Sequence, residues 1–266
     1  MSSHAFDDAV ALEPLGDGRF RGHTHPAYAN MVGPFGGITA ATLLRAVELH
    51  PDVLGAPLSL TVNFAGPVAD GEFEIEAVPV RTNRSTQHWS LTLTQGGAIA
   101  TTATAVFGQR RDTWSETETP APDVASPEQL EQQRMPDIIV WARNYEMRFA
   151  EGIMTPGAGQ ASSSSTLWMR DAPPRPLDFA SLAALCDAFY PRIFLRSGQM
   201  TPAGTVTLTI YFHADAQQLA AQGDAHMLAT ARGHRFNDGY FDQSATVWGH
   251  DGHLLASTHQ LVYFKS

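Results

Sequence analysis

The sequence predicts an α+β protein made of one unit used twice, each unit an antiparallel sheet wrapped around one long helix. Three observations predict it. Each half of the chain carries one long apolar segment of helical character stopped by a proline, Pro51 in the first and Pro191 in the second. Four strand-like runs follow each helix. The two series also overlay residue by residue, as an internal duplication would.

In the first half the helix is read over 36–50, opened by Gly36-Gly37, and the strands over 58–64, 72–80, 88–95 and 98–107. In the second half the helix is read over 179–190 and the strands over 205–213, 226–236, 240–248 and 254–264. Gly96-Gly97 and Asp251-Gly252 supply hairpin turns. Runs at 18–24, 144–149 and 165–170 are expected as the first strands of each sheet. Segment 43–47 overlays 185–189, 59–64 overlays 207–212, and 100–106 overlays 256–262, with offsets of 142, 148 and 156. Between the halves, 110–134 is polar with three prolines and packs no regular element, apart from a short capped helix expected over 126–131. Glycines and four serines make 152–165 a mobile loop. The expected organisation is an N-terminal unit over 1–109, a linker over 110–138 and a C-terminal unit over 139–266.

Composition excludes several function classes. The chain has 266 residues, 17 Lys and Arg against 27 Asp and Glu, and a net charge of −10. That balance argues against a nucleic-acid partner. One cysteine excludes a disulfide framework and a Cys-rich zinc site. The closest approach to a membrane span, 179–195, is interrupted by Asp187 and Arg192. The first eight residues lack a secretory pattern. The expectation is therefore a cytoplasmic protein that neither spans a membrane nor binds one. Charged residues are only 17%, below the ~25% usual for soluble domains, and sheet edges need cover, so a homo-oligomer is expected. The histidines show no ligand spacing of a zinc enzyme, and no metal is expected. No Gly-x-Ser-x-Gly, phosphate-binding loop or dinucleotide fingerprint occurs, and Cys186 reads as an inert buried thiol.

Three positions in the second half are polar where packing asks for apolar. Asp187 lies in the enclosed stretch Leu182-Ala-Ala-Leu-Cys-Asp-Ala-Phe-Tyr190. A carboxylate buried there costs several kcal/mol unless paired or protonated. It is either a structural carboxylate or a base with a raised pKa. Gln260 falls, by strand alternation, on the face of Ala256, Thr258 and Val262, and its amide needs buried partners. Thr205, Thr207 and Thr209 alternate on one face, and alternation does not choose among them; a bulge near the start of that strand would turn Thr205 differently. The overlay puts Arg45 at the place of Asp187 and Thr104 at that of Gln260, so the set occurs once.

These residues sit in blocks that together resemble the double-hotdog acyl-CoA thioesterases of the bacterial type II group. The blocks are Phe35-Gly36-Gly37, Trp168-Met169-Arg170, Asp187 within the second helix, Phe212-His213, and the tail Asp251-Gly-His-Leu-Leu-Ala-Ser-Thr-His-Gln260. The resemblance implies a tandem hotdog and hydrolysis of acyl-CoA to fatty acid and coenzyme A, with no cofactor. It implies that Asp187, Thr205 and Gln260 hold the attacking water, and it selects Thr205 among the threonines. An oxyanion site at the helix start, Gly36 and Gly37, fits the same scheme. The chain departs from the family at Thr207-Leu208, where Asp-His is usual, at Ala214-Asp215 for Arg-Pro, at Thr61 for a histidine, and at Leu261-Val262 for Glu-Gly. Two other readings compete: a non-catalytic module that binds acyl thioesters, and a hotdog hydratase or dehydratase.

Overall fold

The computed structural model describes residues 4–265. After a short helix α1 (Ala5–Ala9), strands β1 (Glu13–Gly16) and β2 (Arg19–His23) lead to helix α2 (Gly36–Glu48). The first half then runs through β3 (Ala56–Phe64), β4 (Glu72–Thr82), β5 (Thr86–Gln95) and β6 (Ala98–Gly108). The second half holds β7 (Tyr145–Glu151), β8 (Ser165–Asp171), helices α3 (Phe179–Leu185) and α4 (Arg192–Ser197), β9 (Ala203–Phe212) and helix α5 (Ala216–Gln222). It ends with β10 (Met227–Arg232), β11 (Phe236–Asn237), β12 (Tyr240–Trp248) and β13 (Leu254–Phe264). The two expected sheets are joined edge to edge into one antiparallel sheet, β1-β2-β4-β5-β6-β3-β9-β13-β12-β10-β8-β7, with β11 paired to β12. This is the tandem hotdog architecture, with the helices α2 and α3 packed against each other inside it.

The join lies where β3 meets β9. Thr61 faces Thr209 across it, with their hydroxyls 3.1 Å apart. These two residues are each other's counterparts in the 148-residue overlay, so a pseudo-twofold axis passes between them. Five residue pairs make the seam. At about 0.2–1 kcal/mol per cross-strand pair they contribute only a few kcal/mol. The larger contribution is the common core beneath them, where Leu60, Val62, Leu208 and Ile210 are fully buried, each worth roughly 1.5–3 kcal/mol.

Pairing corrects one overlay. Leu60 pairs with Ala105, whereas its counterpart Leu208 pairs with Gln260. Ala105, not Thr104, therefore stands at the place of Gln260, and the last strands are offset by 155. Both halves also carry the same bulge. Leu58 is the extra residue between Pro57 and Ser59 in β3, and Val206 is the extra one between Thr205 and Thr207 in β9.

The second helix is shorter than its apolar pattern predicts. It begins at a capping box in which Asp178 and Ser181 exchange hydrogen bonds. It ends at Leu185, and the chain then turns through Cys186 and Asp187, with the Asp187 N–H on the Ala184 carbonyl. Asp187 is thus in the turn after the helix, not within it. The strand expected over 226–236 likewise breaks after Arg232, and α4 and α5 have no counterpart in the expectation. The Asp215–Gln218 capping box that starts α5 was a readable signal.

The segment between the halves carries one 3-10 turn, Pro127–Gln129, and is pinned across the second half. Arg110 donates to the Phe212 carbonyl at 2.6 Å, and the Trp248 and Trp168 indoles donate to the Thr119 and Ala125 carbonyls. The loop before β8 is also tied down. The fully buried guanidinium of Arg192 donates to the Tyr190, Ser163 and Ala231 carbonyls and to the Ser165 hydroxyl, and Arg196 donates to Gln160 and Ala161.

Candidate active site

A cavity of about 820 Å³ opens beside the N-terminus of α2. Its walls are mostly apolar: Phe35, Phe64, Trp141, Phe189, Phe194 and Met200 all line it. Phe35 stacks flat on Trp141, with ring centres 4.0 Å apart. Ile139 and Trp141 lie just past the expected linker, in the opening stretch of the second half, and that stretch builds part of the wall. Nothing in its local sequence separates a wall residue from a spacer.

Asp187, Thr205 and Gln260 meet on the cavity wall. The Gln260 Nε2 donates to the Asp187 Oδ1 at 2.8 Å. The Thr205 hydroxyl reaches the Gln260 Oε1 at 3.3 Å. Three elements bring them together. The turn after α3 carries Asp187, β13 carries Gln260 on its buried face, and the β9 bulge turns Thr205 to that same face. In the register, Thr205 faces Val262, two residues from Gln260, while Thr207 and Thr209 face Leu261 and His259 on the outer side.

Asp187 is buried, with 9% of the residue exposed. Burial raises its pKa to about 7, against the opposing pull of the N–H groups of Gln260 and Gly37 that donate to it. Gly36 and Gly37 are where close approach requires glycine. A Cβ on Gly36 would stand 2.7 Å from the Asp187 Oδ2, and one on Gly37 would stand 2.5 Å from the Ala184 carbonyl oxygen. The Gly37 N–H is engaged with Asp187, while the Gly36 N–H, first in the helix, has no intrahelical acceptor. Cys186 is wholly buried, and its thiol is pushed up by burial and then by the neighbouring Asp187 charge.

The first half has no such set. Arg45, the counterpart of Asp187, pairs with Glu48 at 3.1 Å. Pro57 and Ala105 stand where Thr205 and Gln260 stand.

Two further polar residues escaped the sequence reading. Gln243 lies directly across the strand pair from Gln260, 3% exposed and on the cavity wall. Asp171 is 2% exposed, with its pKa raised to about 7 by burial. Strand alternation in β12 would have flagged Gln243, since Phe241 and Ala245 share its face. Asp171 ends a strand, where an aspartate reads as an ordinary turn residue.

Fold and site define a double-hotdog protein with a single polar constellation at the junction of its halves. The acyl-CoA thioesterase N-terminal domain matches residues 25–108, and the acyl-CoA thioesterase C-terminal domain matches residues 117–264. The chain belongs to the acyl-CoA thioesterase family. Among solved structures it is similar to a conserved hot dog protein of unknown function from Alicyclobacillus acidocaldarius, at 51% identity and a TM-score of 0.96, covering 100% of this chain and 99% of that one. An acyl-CoA thioesterase II from Mycobacterium marinum shares the fold at 18% identity and a TM-score of 0.77, with 98% of each chain covered. A candidate thioesterase II from Thermobifida fusca does so at 19% and 0.86, covering 100% and 99%. Among curated proteins none matches the chain significantly.

Proposed function

We propose that the protein hydrolyses acyl-CoA thioesters by a directly activated water. The observation that carries this reading is the buried carboxylate of Asp187 on the cavity wall, linked through Gln260 to Thr205. A water taken into this group loses a proton to Asp187 as its oxygen bonds to the thioester carbonyl carbon. Thr205 and Gln260 hold it in line, the Gln260 amide donating to one lone pair and the Thr205 oxygen accepting its second hydrogen, so that the other lone pair is free to attack. The Gly36 N–H and the positive end of α2 receive the developing oxyanion. Collapse breaks the C–S bond, and the coenzyme A thiolate takes up the proton. No covalent intermediate is needed. The cavity wall carries no histidine among the described residues, which leaves a hydratase without the second acid–base group it would pair with Asp187.

Free-thiol release from a panel of acyl-CoA esters, short to long, tests this. Asp187→Asn is expected to lower turnover about 100-fold or more, the usual scale for a general base. Near-full turnover in the variant overturns the mechanism. A wild type that retains bound ester without cleaving it makes the protein a binding module.

A further inference from the structure

Besides the trio, three polar side chains enclosed in the cavity wall have no protein partner among the described residues: the hydroxyls of Thr101 and Thr201, and the amide of Gln243, which alone stands beside Gln260. On β13 and β12, Gln260 and Gln243 are direct cross-strand partners, so their side chains rise from the sheet side by side. Neighbouring strands are about 4.8 Å apart. Gln260 uses both ends of its amide, on Asp187 and Thr205. Gln243, 3% exposed, makes no hydrogen bond with its side chain among the described residues, although its surroundings on the protein side are closed. What exposure it keeps is to the cavity it lines. A buried amide with no protein partner carries a penalty of about 1–3 kcal/mol unless something in the cavity satisfies it. A wall of phenylalanine, tryptophan and methionine gives a bound alkyl chain nothing to offer such a group.

We infer that Gln243 is a specificity-determining residue, its amide hydrogen-bonding an oxygen substituent on carbon 2 or 3 of the acyl group. The position follows from the strand spacing. The water is held at Gln260, beside the carbonyl carbon, and Gln243 stands one strand further along the cavity wall. An oxygen on the first or second carbon beyond the carbonyl carbon comes within reach of it, whereas the distal chain runs on past the aromatic wall. A hydroxyl suits the group well, since a carboxamide both donates and accepts. An unsubstituted acyl chain leaves the amide unpaired when it displaces the cavity water.

The inference rests on the acyl-thioester reading but is tested without turnover. Dissociation constants are measured by calorimetry for thioethers that no hydrolase cleaves: S-hexyl-CoA and its 2-hydroxyhexyl and 3-hydroxyhexyl counterparts. The wild type is expected to bind one hydroxylated thioether about tenfold or more tighter than S-hexyl-CoA. Gln243→Met, close in volume and apolar, is expected to abolish that preference, in part by tightening S-hexyl-CoA about fivefold or more, since no amide is then left unpaired. Equal affinity of the wild type for all three overturns the assignment. So does an equal loss on all three in Gln243→Met, which would make Gln243 a support for Gln260. A wild type that discriminates the thioethers but cleaves no ester leaves the assignment standing and removes the proposed hydrolysis.

Discussion

At Asp187, burial holds the carboxyl near 7 although Gln260 and Gly37 both donate to it. The proposed mechanism uses Asp187 in its ionised form, so turnover is expected to rise with pH through an inflection near 7, read from kcat/KM across pH 5–9. The same shift has a consequence for stability. Asp187 and Asp171 both titrate near 7 in the fold, against an ordinary value of 3.8. A raised acid contributes its full stability below the unfolded value and loses it as pH rises through the folded one. Asp187→Asn keeps an oxygen for the Gln260 and Gly37 donors but has no charge to bury. Its melting temperature is therefore expected to exceed the wild type's by a few degrees at pH 8.5, with a smaller gain at pH 5. Calorimetric scans at the two pH values check this, and a gain that does not grow with pH would contradict it.

Among the elements, β9 carries the sharpest test. Its bulge at Val206 sends Thr205 to the face of Gln260 and leaves Thr207 on the outer face. Thr205→Ala is expected to lower kcat roughly tenfold or more, by the scale of a lost positioning contact, while Thr207→Ala stays within about twofold. Steady-state kinetics on one ester separate the two. Helices α2 and α3 meet at Gly37, where a Cβ would press on the Ala184 backbone oxygen and the Phe35 ring. Backbone cannot swing aside, so Gly37→Ala is expected to cost about 1–3 kcal/mol, measured by urea unfolding. It should also reduce turnover, because relief of the clash moves α2 away from Asp187.

At the scale of the molecule, the proposed site draws on both halves. Gly36 and Gly37 come from the first, and Asp187, Thr205 and Gln260 from the second. The continuous sheet and the α2–α3 contact hold the halves together without help from residues 111–118, which are exposed. A chain cut in this stretch is expected to keep its halves associated and its activity intact, by gel filtration and thiol release. Residues 1–110 and 119–266 produced separately should each be inactive and regain turnover when co-expressed. Dissociation of the cut chain would show that the connection, not the seam, holds the halves.

How much of this the sequence carried can be followed residue by residue. Apolar periodicity and proline stops were enough for the α+β duplication, the hairpins and the buried face of Gln260, because strand alternation and helix capping are local rules. The enclosed setting of Asp187 was equally plain, since a lone carboxylate in an apolar run is conspicuous at any fold. Thr205 was separable from Thr207 and Thr209 only through the family resemblance, because a bulge is a property of two paired strands. The helix end at Leu185, the wall residue Trp141 and the overlay of Gln260 on Ala105 were likewise beyond local rules. Each depends on which distant segment lies alongside: α2 against the turn at Asp187, Phe35 against Trp141, β9 against β13. Sequence periodicity determined which residues face inward. Only the tertiary structure decided which inward-facing residues meet, because register and close approach are settled between segments far apart in the chain.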